Sequence, residues 1–263
     1  MSARAGSVRG RAWALASAPL VLVLGVALAL HWRAQSALHA ALLRAVPDGI
    51  PSNARLNDWA MAAGRPAFLR YCASCHGERG EPDTLRGVPD LRDHDWLYGS
   101  GRVIEIEKIV MYGIRAGNSK GWDLASMPAF GTPNPYKKYK VEPLTPREID
   151  DVTEFIYSLQ HTAFDADAAG RGRSVYLSQS RALCWDCHSE DGQGDSAIGA
   201  PNLRDTMWLY GDGSRRSIHD SIAYGRKGRC PAWIGKLPLE TIRALAVYTY
   251  SLSAPRTASQ GAR

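Results

Sequence analysis

The chain has 263 residues, enough for two small domains and an additional segment. Its formal charge of +6 includes no Lys/Arg run interleaved with aromatic residues, so the basic balance gives no argument for a nucleic-acid partner. Five cysteines, four of them in two paired motifs, are not a disulfide framework.

From Ala12 to Leu30 there are 19 residues without a charge, close to the roughly 20 that a helix needs to cross a bilayer. Arg4, Arg9 and Arg11 precede this run and His31-Trp32-Arg33 follows it. The early arginines predict a cytoplasmic N-terminus and an exported remainder. Residues 1–33 therefore read as a transmembrane anchor. The competing reading is a cleaved signal peptide with Ala27-Leu28-Ala29 as its small-residue site, although the apolar run is long for that role. Residues 34–63 read as a linker helix.

A first domain is expected over residues 64–160. Ala67-Phe68-Leu69 opens a helix that leads into Cys72-Ala73-Ser74-Cys75-His76. Cys-x-x-Cys followed directly by His is the pattern of c-type haem attachment. Each thiol adds across one porphyrin vinyl group, and the adjacent His supplies the proximal nitrogen to the iron. A dithiol redox pair would not require that His, and zinc would need four Cys from two distant repeats. Met127, in Met-Pro-Ala-Phe-Gly, is the candidate sixth ligand, a soft thioether that favours Fe(II) and raises the potential. Thr145, Pro146 and Glu148 form an N-cap, N1 and capping-box pattern, after which Ile149, Val152, Phe155, Ile156 and Leu159 share one helical face.

Residues 161–172, rich in Ala, Asp and Gly, read as a linker; 173–253 as a second domain; 254–263 as a disordered tail. The second domain carries Cys184-Trp185-Asp186-Cys187-His188. Pro89-Asp90-Leu91-Arg92 through Trp96-Leu97-Tyr98-Gly99 recurs as Pro201-Asn202-Leu203-Arg204 through Trp208-Leu209-Tyr210-Gly211, offset by the same 112 residues that separate Cys72 from Cys184. Two copies of one haem domain explain this repeat. At the second copy's Met position stands Cys230, in Cys230-Pro231-Ala232-Trp233. Either its thiolate binds the second haem iron, or that iron is open or takes Met207 or Lys227. Leu239, Ile242, Leu245, Tyr248 and Leu252 give the closing helix its apolar face. Pro89 and Pro201 are expected to support the proximal His, since a backbone carbonyl there can accept its Nδ1–H. Trp96, Tyr98, Trp208 and Tyr210 serve either propionates or haem-edge packing. His94, His161 and His219 read as surface or packing residues, and Lys137-Lys138-Tyr139-Lys140 as a solvated loop. No sustained strand alternation is present, so the expected fold is all-α: two tandem class I cytochrome c domains after one transmembrane helix.

Asn53 and Leu56 ahead of Phe68, the two Trp-Leu-Tyr-Gly segments, Tyr-Gly-Ile-Arg at 112–115, Met-Pro-Ala-Phe-Gly at 127–131 and Ala200-Pro201-Asn202-Leu203 resemble the dihaem subunit of cbb3-type cytochrome c oxidases, the CcoP/FixP family. The likeness runs from about Leu42 to Leu252. It implies two covalently bound haem c, one on Cys72, Cys75 and His76 with Met127, the other on Cys184, Cys187 and His188. It also implies a bacterial inner-membrane protein with periplasmic haems, passing electrons from a donor cytochrome c toward the catalytic and monohaem subunits of a haem-copper oxidase. Cys230 in place of the family's second Met, a span with few aromatics, and a longer approach from Tyr176 to Cys184 are departures from the family pattern. Two other expectations compete: a dihaem carrier serving another periplasmic redox enzyme, and a sulfur-compound-oxidising enzyme with a His/Cys haem.

Overall fold

The computed structural model describes residues 9–133, 142–161 and 163–253, with side chains from residue 21 onward. The Lys137–Lys140 segment and the tail 254–263 lie outside the described residues. The chain divides into two units, 1–45 and 46–263.

The first unit is one helix, α1 (Arg9–Arg44). The expected boundary at 33/34 falls inside it, because Ala, Leu and Gln beyond Arg33 continue the helix without a breaker. Its segment Val21–Arg44 is long and apolar enough to cross a membrane. Val21, Leu22, Leu28 and Trp32 stand exposed along it, as expected of a lipid-facing surface.

The second unit begins with a short 3₁₀ turn (Pro47–Gly49), then α2 (Ala54–Tyr71), whose cap Asn53 accepts a hydrogen bond from the Leu56 amide at 3.2 Å. α2 runs directly into the attachment turn α3 (Ala73–His76) and is followed by α4 (Val103–Tyr112). α5 (Pro146–Ser158) starts in the expected capping box: the Glu148 amide donates to Thr145 Oγ1 at 3.2 Å, and the Thr145 amide donates to Glu148 Oε2 at 2.8 Å. α6 (Ala166–Tyr176), α7 (Cys184–His188), α8 (Arg215–Tyr224) and α9 (Leu239–Ser253) complete the unit. Among the described residues only isolated bridges, and no strands, occur. The stretch expected as a linker, 161–172, is helix from Ala166 onward. Asp165 caps it, accepting from the Ala168 amide at 3.0 Å, and Ala169, Gly172 and Tyr176 give it a narrow buried face that periodicity in large apolar residues does not reveal.

The two copies exchange their C-terminal halves. α5, closing the first copy, packs on α6 and α8 of the second, and α9, closing the second, packs on α2 and α4 of the first. Phe155 meets Tyr176 edge-on at 5.1 Å, and Phe68 meets Tyr248 at 5.3 Å. Arg171–Asp151 at 2.7 Å, Arg215–Glu154 at 2.6 Å and Arg243–Glu107 at 2.8 Å are ion pairs between exchanged partners. The backbone repeats the exchange reciprocally. Met127 and Arg226 trade N–H···O bonds of 3.0 Å, while Ile114 and Cys230 trade bonds of 2.9 and 3.0 Å. Ile114 and Arg226 are equivalent at the 112-residue offset, so each ligand loop lies on the other copy's scaffold. The apolar faces read from the sequence are the buried ones, but in two similar copies the same faces satisfy either pairing. Connection length decides between them. Only residues 159–165 join α5 to α6, and so short a link keeps antiparallel helices adjacent.

Gly64 and Gly172 mark the two helix crossings. A Cβ on Gly64 would lie 2.4 Å from the Ala244 carbonyl oxygen, and one on Gly172 would lie 1.9 Å from that of Asp151. Backbone cannot yield as a side chain can, so Gly64→Ala and Gly172→Ala are expected to destabilise by about 1–3 kcal/mol or more. Gly170, in the same helix as Gly172, has open space where its Cβ would be. Gly170→Ala should therefore stabilise, by up to about 1 kcal/mol. Denaturant midpoints of the three haem-loaded variants check this; equal signs for 170 and 172 would contradict the close crossing.

Candidate haem centres

His188 ends α7, and its Nδ1 lies 3.0 Å from the Pro201 carbonyl. A carbonyl only accepts, so Nδ1 carries the proton and Nε2 keeps its lone pair for a metal. Burial lowers the His188 pKa, with the Pro201 carbonyl opposing, which keeps the ring in the neutral ligating form. His188, Cys184 and Cys187 line a cavity of about 1240 Å³, mouth included. Phe130, Val152, Ile156, Leu203, Trp208, Ile218 and Ile222 supply an apolar wall, and Tyr98, Arg115, Tyr210 and Arg226 add polar groups to the lining. Arg226 lies over the Tyr210 ring at 4.6 Å. The buried Tyr98 hydroxyl makes no hydrogen bond within the protein. Burial raises its pKa and the neighbouring Arg115 guanidinium opposes the rise. An apolar slot, two thiols, a pre-oriented imidazole and polar groups with a free donor fit a porphyrin with its carboxylate edge.

Met127 lines this same cavity. Its loop is bridged to Arg226, and the thioether shares the cavity with Cys184, Cys187 and His188 of the other copy, whereas the sequence expectation paired it with His76. Met207 lines the cavity as well.

The first attachment pair has the complementary arrangement. Cys72 caps α2, packed with Phe68, Leu91, Val110, Leu237, Leu245, Tyr248 and Leu252. Burial pushes its thiol up to about 12, with Cys230 and then Cys75 adding to the rise. Burial likewise pushes Cys230 up to about 11, with Cys75 adding. The Cys230 backbone trades hydrogen bonds of 2.9 and 3.0 Å with Ile114 of the first copy, and its thiol acts on Cys72, which puts it near the first attachment pair, whereas the sequence expectation associated it with the second haem. Burial lowers the His76 pKa and the Pro89 carbonyl opposes this, repeating the His188–Pro201 pattern, although His76 Nδ1 lies outside hydrogen-bond geometry.

The aromatic repeat divides. Trp96 and Trp208 pack on their own copies, filling the space beside Gly101 and Gly213. Tyr98 and Tyr210 cross over, lying against Gly199 and Gly87, each of which has a positive φ. His94 and His161 are exposed, the latter stacked on Tyr157 at 3.8 Å, and His219 sits near Asp150 and Asp220. Arg115 and Arg226 at the cavity are site residues that sequence reasoning missed. The signal available was that a basic residue stands within two positions after Tyr112-Gly113 and after Tyr224-Gly225.

Residues 61–160 match the cytochrome c family, and residues 167–248 match the family described as cytochrome c oxidase, cbb3-type, subunit III. The FixP subunit of Azorhizobium caulinodans is 37% identical over 218 residues, covering 82% of this chain and 68% of its own. The CcoP subunit of Azospirillum brasilense is 37% identical over 226 residues, covering 84% and 71%. The chain belongs to the CcoP/FixP family. Like other CcoP/FixP chains it carries two covalently bound haem c, one per attachment motif.

Proposed function

We propose that this CcoP/FixP chain is the membrane-anchored electron inlet of a cbb3-type oxidase, taking electrons singly from a donor cytochrome c on the periplasmic side. Bound haem c supplies a one-electron Fe(III)/Fe(II) couple. The protein supplies the rest. Cys72, Cys75 and His76 hold one haem with Cys230 as sixth ligand; Cys184, Cys187 and His188 hold the other with Met127. The observation that carries the reading is that both attachment motifs lie in one compact unit whose ligand loops are exchanged, which supports electron passage between two rigidly linked centres. The arginines at 4, 9 and 11 support a cytoplasmic N-terminus. Apolar walls exclude water and lower the reorganisation that accompanies a change of charge, and no side chain is needed as an acid, base or nucleophile toward a substrate.

Rapid mixing of the oxidised, detergent-solubilised protein with a reduced donor cytochrome tests this. Uptake of two electrons per chain is expected, followed by their release to co-purified oxidase subunits. Steady-state oxidation of thiosulfate by the purified chain alone would overturn it in favour of an enzyme.

A further inference from the structure

Arg115 has a positive φ of 48°, a backbone conformation that ordinarily selects glycine. Its amide donates to the Trp122 carbonyl at 2.7 Å. Its guanidinium forks. Nη1 donates to the Ala125 carbonyl at 2.9 Å, and Nε donates to the Gly228 carbonyl. Ala125 lies two residues before Met127, and Gly228 lies two residues before Cys230. One side chain therefore grips both ligand loops at the same register, although those loops come from different copies of the repeat. The equivalent position in the second copy is Lys227, a point charge that cannot make a planar two-carbonyl fork.

We propose that Arg115 is a positioning residue that clamps the Met127 and Cys230 loops to each other, so that the two sixth-ligand loops open and close together. Its relevance to haem rests on the reading of Met127 and Cys230 as ligands; the clamp itself rests on the two carbonyl contacts. Arg115 also reaches the cavity beside Tyr98, so a purely electrostatic role toward a carboxylate of the cofactor is the alternative. Lysine separates the two, because it keeps the charge and loses the fork.

The test uses the full haem-loaded chain as wild type, Arg115→Lys and Arg115→Gln, with haem content confirming that each folds. Amide hydrogen exchange is read in both loops, together with the far-red charge-transfer band of Met-ligated ferric haem and the low-spin thiolate resonance. The clamp predicts exchange about ten-fold or more faster in both loops of both variants, as expected when charged hydrogen bonds are lost. It also predicts that both ligand signals weaken together. Unchanged exchange in Arg115→Lys, or faster exchange in one loop alone, overturns the clamp. If the wild type lacks either ligand signal while both loops still loosen together, the ligand reading fails and the clamp stands.

Discussion

Replacing Cys230 with methionine is expected to raise the midpoint potential of the haem tethered at Cys72 and Cys75 by about 0.3 V, because axial-ligand choice spans about 0.8 V across haem proteins. The haem at Cys184 and Cys187 should keep its potential. A thiolate donates charge and stabilises Fe(III); a neutral thioether favours Fe(II). For a one-electron couple 0.3 V is about 7 kcal/mol, roughly five decades in an equilibrium constant. Spectroelectrochemistry of Cys230→Met checks it, with the two haems told apart in chains where one attachment pair is replaced by alanine. A shift confined to the haem at Cys184 and Cys187 would return Cys230 to its own copy, and no shift at either haem would remove it from the iron. Pro231 follows Cys230 as Pro128 follows Met127, so the substituted loop keeps the stiffness that presents the ligand.

That substitution also bears on direction. With Cys230 on the first haem and Met127 on the second, electrons run downhill from the Cys72 site to the Cys184 site. Pairing each ligand with its own copy would reverse the gradient. The same five cysteines and one methionine are present in both schemes, so composition and motif alone could not separate them.

What the sequence made legible was chemistry and local structure. Both Cys-x-x-Cys-His turns, the capping box at Thr145 and Glu148, and the apolar faces of α5 and α9 could be read from spacing, because each depends on residues within a few positions of one another. Which face meets which could not. The spacing of Ile149, Val152, Phe155 and Ile156 assigns their face to neither α2 nor α6, since each of those helices carries a buried aromatic, Phe68 or Tyr176, ahead of its motif. The exchange could have been suspected from one local fact, that α6 begins at Ala166 and leaves only residues 159–165 to join it to α5. Arg115 escaped for a related reason: its partners Ala125 and Gly228 offer only backbone carbonyls, which leave no mark in a sequence.

The exchange itself is decided by Met127. In a chain with Cys72→Ala and Cys75→Ala, only the haem at Cys184 and Cys187 remains. The far-red band of Met-ligated ferric haem is expected there at full strength, and Met127→Ala in that background should abolish it. In the reciprocal chain, Cys184→Ala and Cys187→Ala, the band should be absent even though Met127 is intact. Pairing within each copy predicts the reverse in both single-haem chains with Met127 intact: no band in the first and a full band in the second. The outcome does not depend on whether Cys230 binds iron, because the band reports the thioether alone. It depends on the two 3.0 Å bonds between Met127 and Arg226, which set the methionine loop on the second copy. The sequence-adjacent alternative would require the same loop to bridge Ile114, and both backbone positions of Ile114 are already taken by Cys230 at 2.9 and 3.0 Å. Moving Met127 home would thus displace Cys230 as well, so neither ligand can change haem without the other.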